Sequence, residues 1–364
     1  MHQPRTFFTG LRGRTIAAVL VAASAATLGL AGCANSDKPS AATVADVPLP
    51  TEIPAGTKLV VADQQERLQS VLRLSGELDK LPFKIEFANF IGGPAILEAF
   101  RGGAADVAPV GDVPPIHALA AGQDVPIVAS YQTSTSALKL AVAPGKTATT
   151  LADLKGKKIA YAEGTAQQAA VLRALAKAGL KTGDVQLIRL QLAEFLDAVR
   201  TGQVDIAPLI EPNVTRLLRT PGTSLIPDSE TNGIYGGLAY LYARRAVVQD
   251  PAKAAATRAL VGAYVRAHQW ANTHQDEWAR RYYVDIQKVS ADDARRIVES
   301  LGTYTFPHLD QALVDRQQAT IDVIDGAGEL PKKIRAAGGF DLRFDAPVTQ
   351  AVTESGAAFE PKAR

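Results

Sequence analysis

Cysteine is almost missing from this chain. Its 364 residues include one, Cys33, so no internal disulfide, no multi-cysteine zinc site and no iron–sulfur cluster can form. There are also only one Met, two Trp and five His. The histidines, His2, His117, His268, His274 and His308, form no cluster with metal-ligand spacing. Neither sign of charge dominates: Lys and Arg total 39 against 37 Asp and Glu, a net +2. With that balance and no basic block, no nucleic-acid partner is expected. No Gly-x-Ser-x-Gly elbow and no Walker loop occurs. The reading is therefore of a chain with no catalytic set, no metal and no cofactor. What remains is a globular composition, 47% hydrophobic and 21% charged. The length exceeds what one core usually serves, so two lobes are expected.

The N-terminus has the three parts of a secretory signal. Arg5, Arg12 and Arg14 form a cationic head, and Ile16 to Leu30 is an apolar run too short for a typical membrane span. The run ends at Leu30-Ala31-Gly32-Cys33, which resembles the lipobox of bacterial lipoproteins. That resemblance implies cleavage before Cys33 and a diacylglycerol on its sulfur. Residues 1–32 are then the signal. Residues 33–56, rich in Ser, Pro, Ala and Asp at their start, read as a flexible tether. The mature protein is expected at the extracytoplasmic face of the cell membrane, held by lipid alone.

The chain repeats itself at an offset of 99. Leu97-Glu98-Ala99-Phe100-Arg101-Gly102-Gly103-Ala104-Ala105-Asp106-Val107-Ala108-Pro109 matches Leu196-Asp197-Ala198-Val199-Arg200-Thr201-Gly202-Gln203-Val204-Asp205-Ile206-Ala207-Pro208 at seven of thirteen positions. Upstream, Val71-Leu72-Arg73 recurs as Val171-Leu172-Arg173. Short β-branched runs predict strands at Lys58–Ala62, Lys84–Phe90 and Asp106–Val110, and again at Lys158–Tyr161, Val185–Leu190 and Asp205–Ile210. Ala/Leu-rich stretches between them predict helices, with Gly103 and Gly202 placed as C-caps. Strand–helix–strand–helix–strand, twice, predicts an α/β fold of two lobes with mostly parallel sheets. Leu138–Val142 and Leu238–Tyr242 are read as the segments crossing between them, and the chain after the second as helical to Asp325. Lobe I is then 57–137 with 243–348, and lobe II is 138–242. Trp270 and Trp278 are read as core anchors.

Ligands of open parallel sheets sit beyond the carboxyl ends of the strands. Those ends carry Asp63-Gln64-Gln65, Phe90-Ile91-Gly92-Gly93-Pro94, Glu163-Gly164-Thr165 and Gln191-Leu192. Each leads into a helix N-terminus, where unpaired N–H groups and the dipole favour an anion. Gly92 and Gly93 permit close backbone approach, Pro94 suits the first helical turn, and Thr165 adds a capping hydroxyl. Asp112 is read as an N-cap for the helix opened by Pro114 and Pro115, holding a loop at the cleft. Glu211 has two readings: contact with a ligand or the opposite lobe, or an acidic charge at a helix start. His117 is placed close to the cleft, with a solvated or core role favoured.

Gly93-Pro94-Ala95-Ile96-Leu97-Glu98-Ala99-Phe100, Gly111-Asp112-Val113-Pro114-Pro115-Ile116, and Leu151-Ala152-Asp153-Leu154-Lys155-Gly156-Lys157-Lys158-Ile159-Ala160 with Gly164-Thr165 resemble the aliphatic-sulfonate-binding branch of periplasmic solute-binding proteins. The likeness runs from about Lys58 to Lys332 and takes in nitrate and taurine binders. It implies a Venus-flytrap receptor with a helical C-terminal extension. Such a receptor works as a monomer with the permease and ATPase subunits of an ABC importer. Carried over position by position, it implies a pocket of Gln64, Gly92, Gly93, Asp112, Thr165 and Glu211. Gly111, Gln132, Gly164 and Gln191 complete the candidate ligand-binding set. Two departures stand out: Asp63-Gln64 where Tyr-Gln is common, and Ile210-Glu211-Pro212 where Trp-Asp-Pro is common. Same-fold enzymes that cleave sulfinates need a cleft thiolate, and here the lone thiol is assigned to the lipid. The alternatives are a same-fold enzyme of pyrimidine-precursor metabolism, which would need a cleft His such as His117 and iron, and a ligand-sensing receptor domain. Thr165→Val is expected to weaken anion binding and leave the melting temperature nearly unchanged.

Overall fold

The computed structural model describes residues 47–361. The signal (1–32), Cys33 and most of the expected tether lie outside the described residues. Residues 47–56 lie within them. They lack regular structure, yet Leu49 packs on the core, so the tether ends earlier than 56.

Among the described residues ten strands follow in chain order: β1 (Lys58–Gln64), β2 (Lys84–Phe90), β3 (Val107–Gly111), β4 (Ile127–Gln132), β5 (Leu138–Val142), β6 (Lys158–Tyr161), β7 (Gln186–Arg189), β8 (Ile206–Ile210), β9 (Ser224–Leu225) and β10 (Leu238–Ala243). They form two five-stranded sheets, ordered β2-β1-β3-β10-β4 and β7-β6-β8-β5-β9. In the first, β1 is parallel to β2 and β3, and β10 is antiparallel to β3 and β4. In the second, β6 is parallel to β7 and β8, and β5 is antiparallel to β8 and β9. One antiparallel strand in the fourth place of each order makes the two sheets topological copies.

The repeated motif has a repeated structural job. Asp106 accepts from the backbone N–H of Val60 at 3.0 Å, and Asp205 accepts from that of Lys158 at 2.9 Å. Each carboxylate thus ties the start of its third strand to the first strand of the same sheet. Gly103 and Gly202 just before them have φ of +70° and +75°, the left-handed conformation in which a helix ends at least cost on glycine.

Two differences from expectation concern the strands beside the crossings. β10 lies in the first sheet, between β3 and β4, with Tyr240, Leu241 and Tyr242 fully buried. Leu238–Ala243 therefore leaves the stretch assigned to the second lobe, because its apolar side chains fill the centre of the other sheet. β5 likewise lies inside its sheet rather than crossing, so the chain passes between sheets at 133–137 and 232–237. Strands β4 and β9 were not anticipated. β4 carries Ser130 and Gln132 among apolar residues, and β9 has only two residues, which is too little pattern to read.

After β10 the chain is largely helical. Pro251–Thr273 buries Leu260, Val261, Tyr264 and Val265, and it packs on β1, the helix Arg67–Leu74 and the last helix, Asp345–Ser355. Trp278 is buried and stacks on Tyr282 with ring centres 4.5 Å apart, the anchoring role expected of it. Trp270 is half-buried and stacks on His274.

Candidate functional site

In the first sheet β1 to β4 run the same way, so Gln64, Phe90, Gly111 and Gln132 end on one edge. In the second, β6 to β8 end together at Tyr161, Arg189 and Ile210. The loops leaving these two edges touch. A Cβ built on Gly92 meets Leu192 Cδ1 at 3.3 Å, one on Gly93 meets the Gly164 carbonyl oxygen at 3.3 Å, and one on Gly111 meets Ala166 Cβ at 3.1 Å. Gly164 in turn faces Pro94 and His117. The convergence that separate loops only suggested is present for Gly92, Gly93, Gly111 and Gly164. Glycine is required at this seam by contact as well as by φ, since Gly92 and Gly164 have φ of +86° and +72°.

Gln64 holds the first edge in shape. Its Nε2 donates to Pro109 O at 2.9 Å, and its Oε1 accepts from Gly92 N at 3.2 Å. The amide thus joins β1, β3 and the glycine loop. Gly92 caps the helix Gly93–Arg101, whose N-terminus receives no side-chain cap. Thr165 caps the helix Ala166–Lys177 as expected: Oγ1 accepts from Gln168 N at 3.4 Å and donates to Ala162 O at 2.7 Å. Its one proton is already placed.

Asp112 differs from expectation. The residue capping Pro114–Ala120 is Val113, with no side-chain cap. The Asp112 side chain turns instead toward a helix from the C-terminal part, Gln311–Gly326. There Oδ2 accepts from Thr320 Oγ1 at 3.4 Å and lies 3.8 Å from Arg173, on the helix Ala166–Lys177 of the second sheet. Gln317 donates to its backbone oxygen at 2.7 Å. Arg173 also donates to Thr320 Oγ1 at 2.6 Å and to Ile234 O at 3.4 Å. Burial raises the Asp112 pKa, and Arg173 partly opposes this. A buried carboxylate with these partners is a strut across the seam, since desolvation is compensated only where polar groups meet it.

Three further candidates sit to the side. Gln132 is buried at the end of β4; its Nε2 donates to Thr133 O and Gly236 O, and its Oε1 accepts from Arg316. It links the two crossings. Gln191 is exposed, and its N–H donates to Glu194 at 2.7 Å, a capping box. Glu211 accepts from Thr215 N at 3.0 Å and Thr215 Oγ1 at 3.1 Å. Of its two readings, the structure supplies contacts for the acidic helix start. Burial raises its pKa, and the Thr215 bonds partly offset that.

His117, expected close to the cleft, lies at the seam, together with residues that escaped the sequence reading. His117 Nε2 lies 2.9 Å from Gln168 Oε1, a bond between the two sheets' helices. Gln168 Oε1 also accepts from Gly164 N, and its Nε2 donates to Tyr161 OH at 3.1 Å. Since Oε1 can only accept, His117 must donate through Nε2–H. Burial lowers the His117 pKa. Gln168, Arg173, Gln317 and Thr320 carried no local signal; they lie far from the glycine loops in sequence. Among the described residues no group of three or more His, Cys, Asp and Glu could hold a metal ion.

Two copied α/β sheets, joined by two crossings, meeting at their strand ends and backed by C-terminal helices, define the two-lobed periplasmic-binding-protein fold. The chain belongs to the NMT1/THI5-like family, whose model matches residues 95–278. It is 37% identical over 161 residues to a protein of Escherichia coli (strain K12) that carries the name aliphatic sulfonates-binding protein. The match takes in 44% of this chain and half of that protein's length. Among solved structures, the alkanesulfonate-binding protein SsuA from Xanthomonas axonopodis pv. citri, bound to MOPS, aligns with TM-score 0.71 and 26% identity. It covers 79% of this chain and 99% of that one. The periplasmic aliphatic sulphonate binding protein SsuA from Escherichia coli aligns with TM-score 0.66 and 25% identity, over 79% and 97% of the two chains. The desulfurization enzyme DSZB shares the fold at 15% identity. The first-named relatives are binding proteins. No helix of the described residues is long and apolar enough to cross a membrane.

Proposed function

We propose that this protein is the extracytoplasmic substrate-binding lipoprotein of an ATP-driven importer, capturing a small organic anion, an aliphatic sulfonate, between its lobes. It does no chemistry on the ligand. The observation that carries the reading is the seam, where glycine-lined strand ends from both sheets meet over helix N-termini. The name and MOPS complex of its structural relatives favour a sulfonate. Lobe I comprises the first sheet with the C-terminal helices, lobe II the second sheet. The segments 133–137 and 232–237 are the hinge. Gly92 and Gly93 are kept small so that the ligand's oxygens can reach backbone N–H groups at the uncapped start of Gly93–Arg101. Gly111 and Gly164 let the opposite lobe close on them. Because Gly93 already lies against Gly164, entry requires the lobes to part and reclose. Charge-assisted hydrogen bonds contribute about 1.5–3 kcal/mol each. A few of them, less ordering costs, reach the roughly −8 kcal/mol of micromolar binding. The lipid at Cys33 keeps the monomer beside its permease and ATPase.

Calorimetric titration tests this. The full chain carrying Cys33→Ser, in mild detergent, is titrated with taurine, methanesulfonate, longer alkanesulfonates, nitrate and sulfate. Heat with sulfonates is expected. Heat with none of these, but with a cationic or neutral compound, overturns the assignment.

A further inference from the structure

Arg67 opens the helix Arg67–Leu74, directly after β1 and two residues, Gln65 and Glu66, that have φ of 53° and 58°. Its guanidinium is enclosed by aromatic side chains. Nη1 donates to Tyr283 OH at 3.3 Å, Nη2 donates to Tyr304 OH at 2.7 Å, and Cζ lies 5.9 Å from the Tyr282 ring centre. Nε is buried and has no partner. Among the described residues no carboxylate lies within 4.0 Å of it.

No surrounding group in contact with the guanidinium carries a compensating charge. Burial pushes the Tyr131 hydroxyl up to about 12 and raises that of Tyr283 as well, so both are neutral phenols at pH 7. Asp63 acts on Arg67 only through space: its hydrogen bonds come from the backbone N–H of Gln64, Leu68 and Gln69 at 2.7, 3.0 and 2.8 Å, none from the guanidinium. A guanidinium has five N–H donors, and the two hydrogen bonds named above use two of them. A buried cation with no carboxylate in direct contact is costly unless something completes it. Its place fits a ligand: it follows the Gln64 end of β1. Tyr235, in the crossing segment, lies near enough to both Asp112 and Arg67 for their charges to act on its hydroxyl.

We propose that Arg67 is the counter-charge of the captured anion, its Nε–H and a neighbouring Nη–H taking two oxygens of a sulfonate. This rests on the anion-capture reading above. The fork of a guanidinium matches a two-oxygen edge, and a lysine ammonium does not. Tyr283 and Tyr304 hold the fork from its far side, and the tyrosine rings exclude water from the pair.

The full chain, wild type and with Arg67→Gln or Arg67→Lys, is titrated with methanesulfonate and taurine, and each form is melted by circular dichroism. The wild type is expected to bind, Arg67→Gln at least thirtyfold more weakly, and Arg67→Lys in between. An Arg67→Gln form that is folded and binds as the wild type does overturns the proposal and leaves sulfonate capture standing. A wild type that binds no sulfonate overturns the capture reading itself. If Arg67→Gln does not fold, arginine-labelled wild type decides by NMR. The Nε–H resonance missing from Arg67→Lys must move with methanesulfonate along the same binding curve, and one that stays in place overturns the assignment.

Discussion

Gly93→Ala separates steric necessity from mere glycine preference at the seam. Gly93 occupies the first position of its helix without a positive φ, so alanine suits its backbone. The added Cβ, however, falls 2.3 Å from Pro114 Cγ and 2.6 Å from Pro114 Cβ. Carbon atoms settle at about 3.5–4.0 Å, so one of two helix starts must move by roughly an ångström. Pro114 is a rigid ring at the head of Pro114–Ala120 and cannot rotate away. Such overpacking costs about 1–3 kcal/mol, while alanine over glycine in a helix returns up to about 1 kcal/mol. That gain belongs to helix interiors and little of it applies at this first helical position, so the net loss is about 1–2 kcal/mol, a drop in melting temperature of roughly 2–4 °C for a chain of this size. Thermal unfolding by circular dichroism, with urea unfolding beside it, measures this. Gly183→Ala is the control, because its φ is not left-handed and a Cβ there meets nothing within 4 Å. It should change stability by less than about 0.5 kcal/mol. A Gly93→Ala protein that melts with the wild type, or above it, refutes the packing reasoning.

Thr165→Val now carries a different expectation from the one its sequence suggested. The hydroxyl is a cap with its proton given to Ala162 O, so its removal should cost about 0.5–2 kcal/mol, read as a lower urea midpoint at unchanged slope. Acid sensitivity should trace to His268, which is buried beside Tyr264, Tyr131 and Tyr304 and driven by that burial down to about 3. The unfolded chain protonates this imidazole near 6.5, where the folded one refuses the proton. The stability is therefore complete above 6.5 and is lost as pH falls from there toward 3, at up to about 1.4 kcal/mol per pH unit. His268→Asn should flatten that slope in urea midpoints measured across the window; an unchanged slope refutes the assignment.

Much of the fold was legible because the repeat writes it twice. β2, β5 and β6 lie on the residues expected of them, and the Asp106 and Asp205 echo marks a real tie between strands. The β-branched runs are short and bounded by turns, which is what strand period and turn chemistry encode locally. β4 was invisible because Ser130 and Gln132 interrupt its pattern, and the partners that satisfy Gln132 (Thr133, Gly236 and Arg316) come from the crossings and a distant helix. The candidate site divides the same way. Gly92, Gly93 and Thr165 announce themselves through turn and cap chemistry. Asp112 carried the same kind of local signal, and the wrong partner followed from it. An N-cap was at hand in sequence, whereas Thr320 and Arg173 are near only in space.

Composition, repeat and turn residues set the elements and their order, since helix period, strand period and glycine conformations depend on neighbours along the chain. Which sheet receives β10, which carboxylate braces the seam, and that Arg67 stands buried with no acid in contact were decided by tertiary packing. Burial, desolvation and hydrogen-bond partners are properties of groups that meet from distant parts of the chain, and no local pattern records who meets whom.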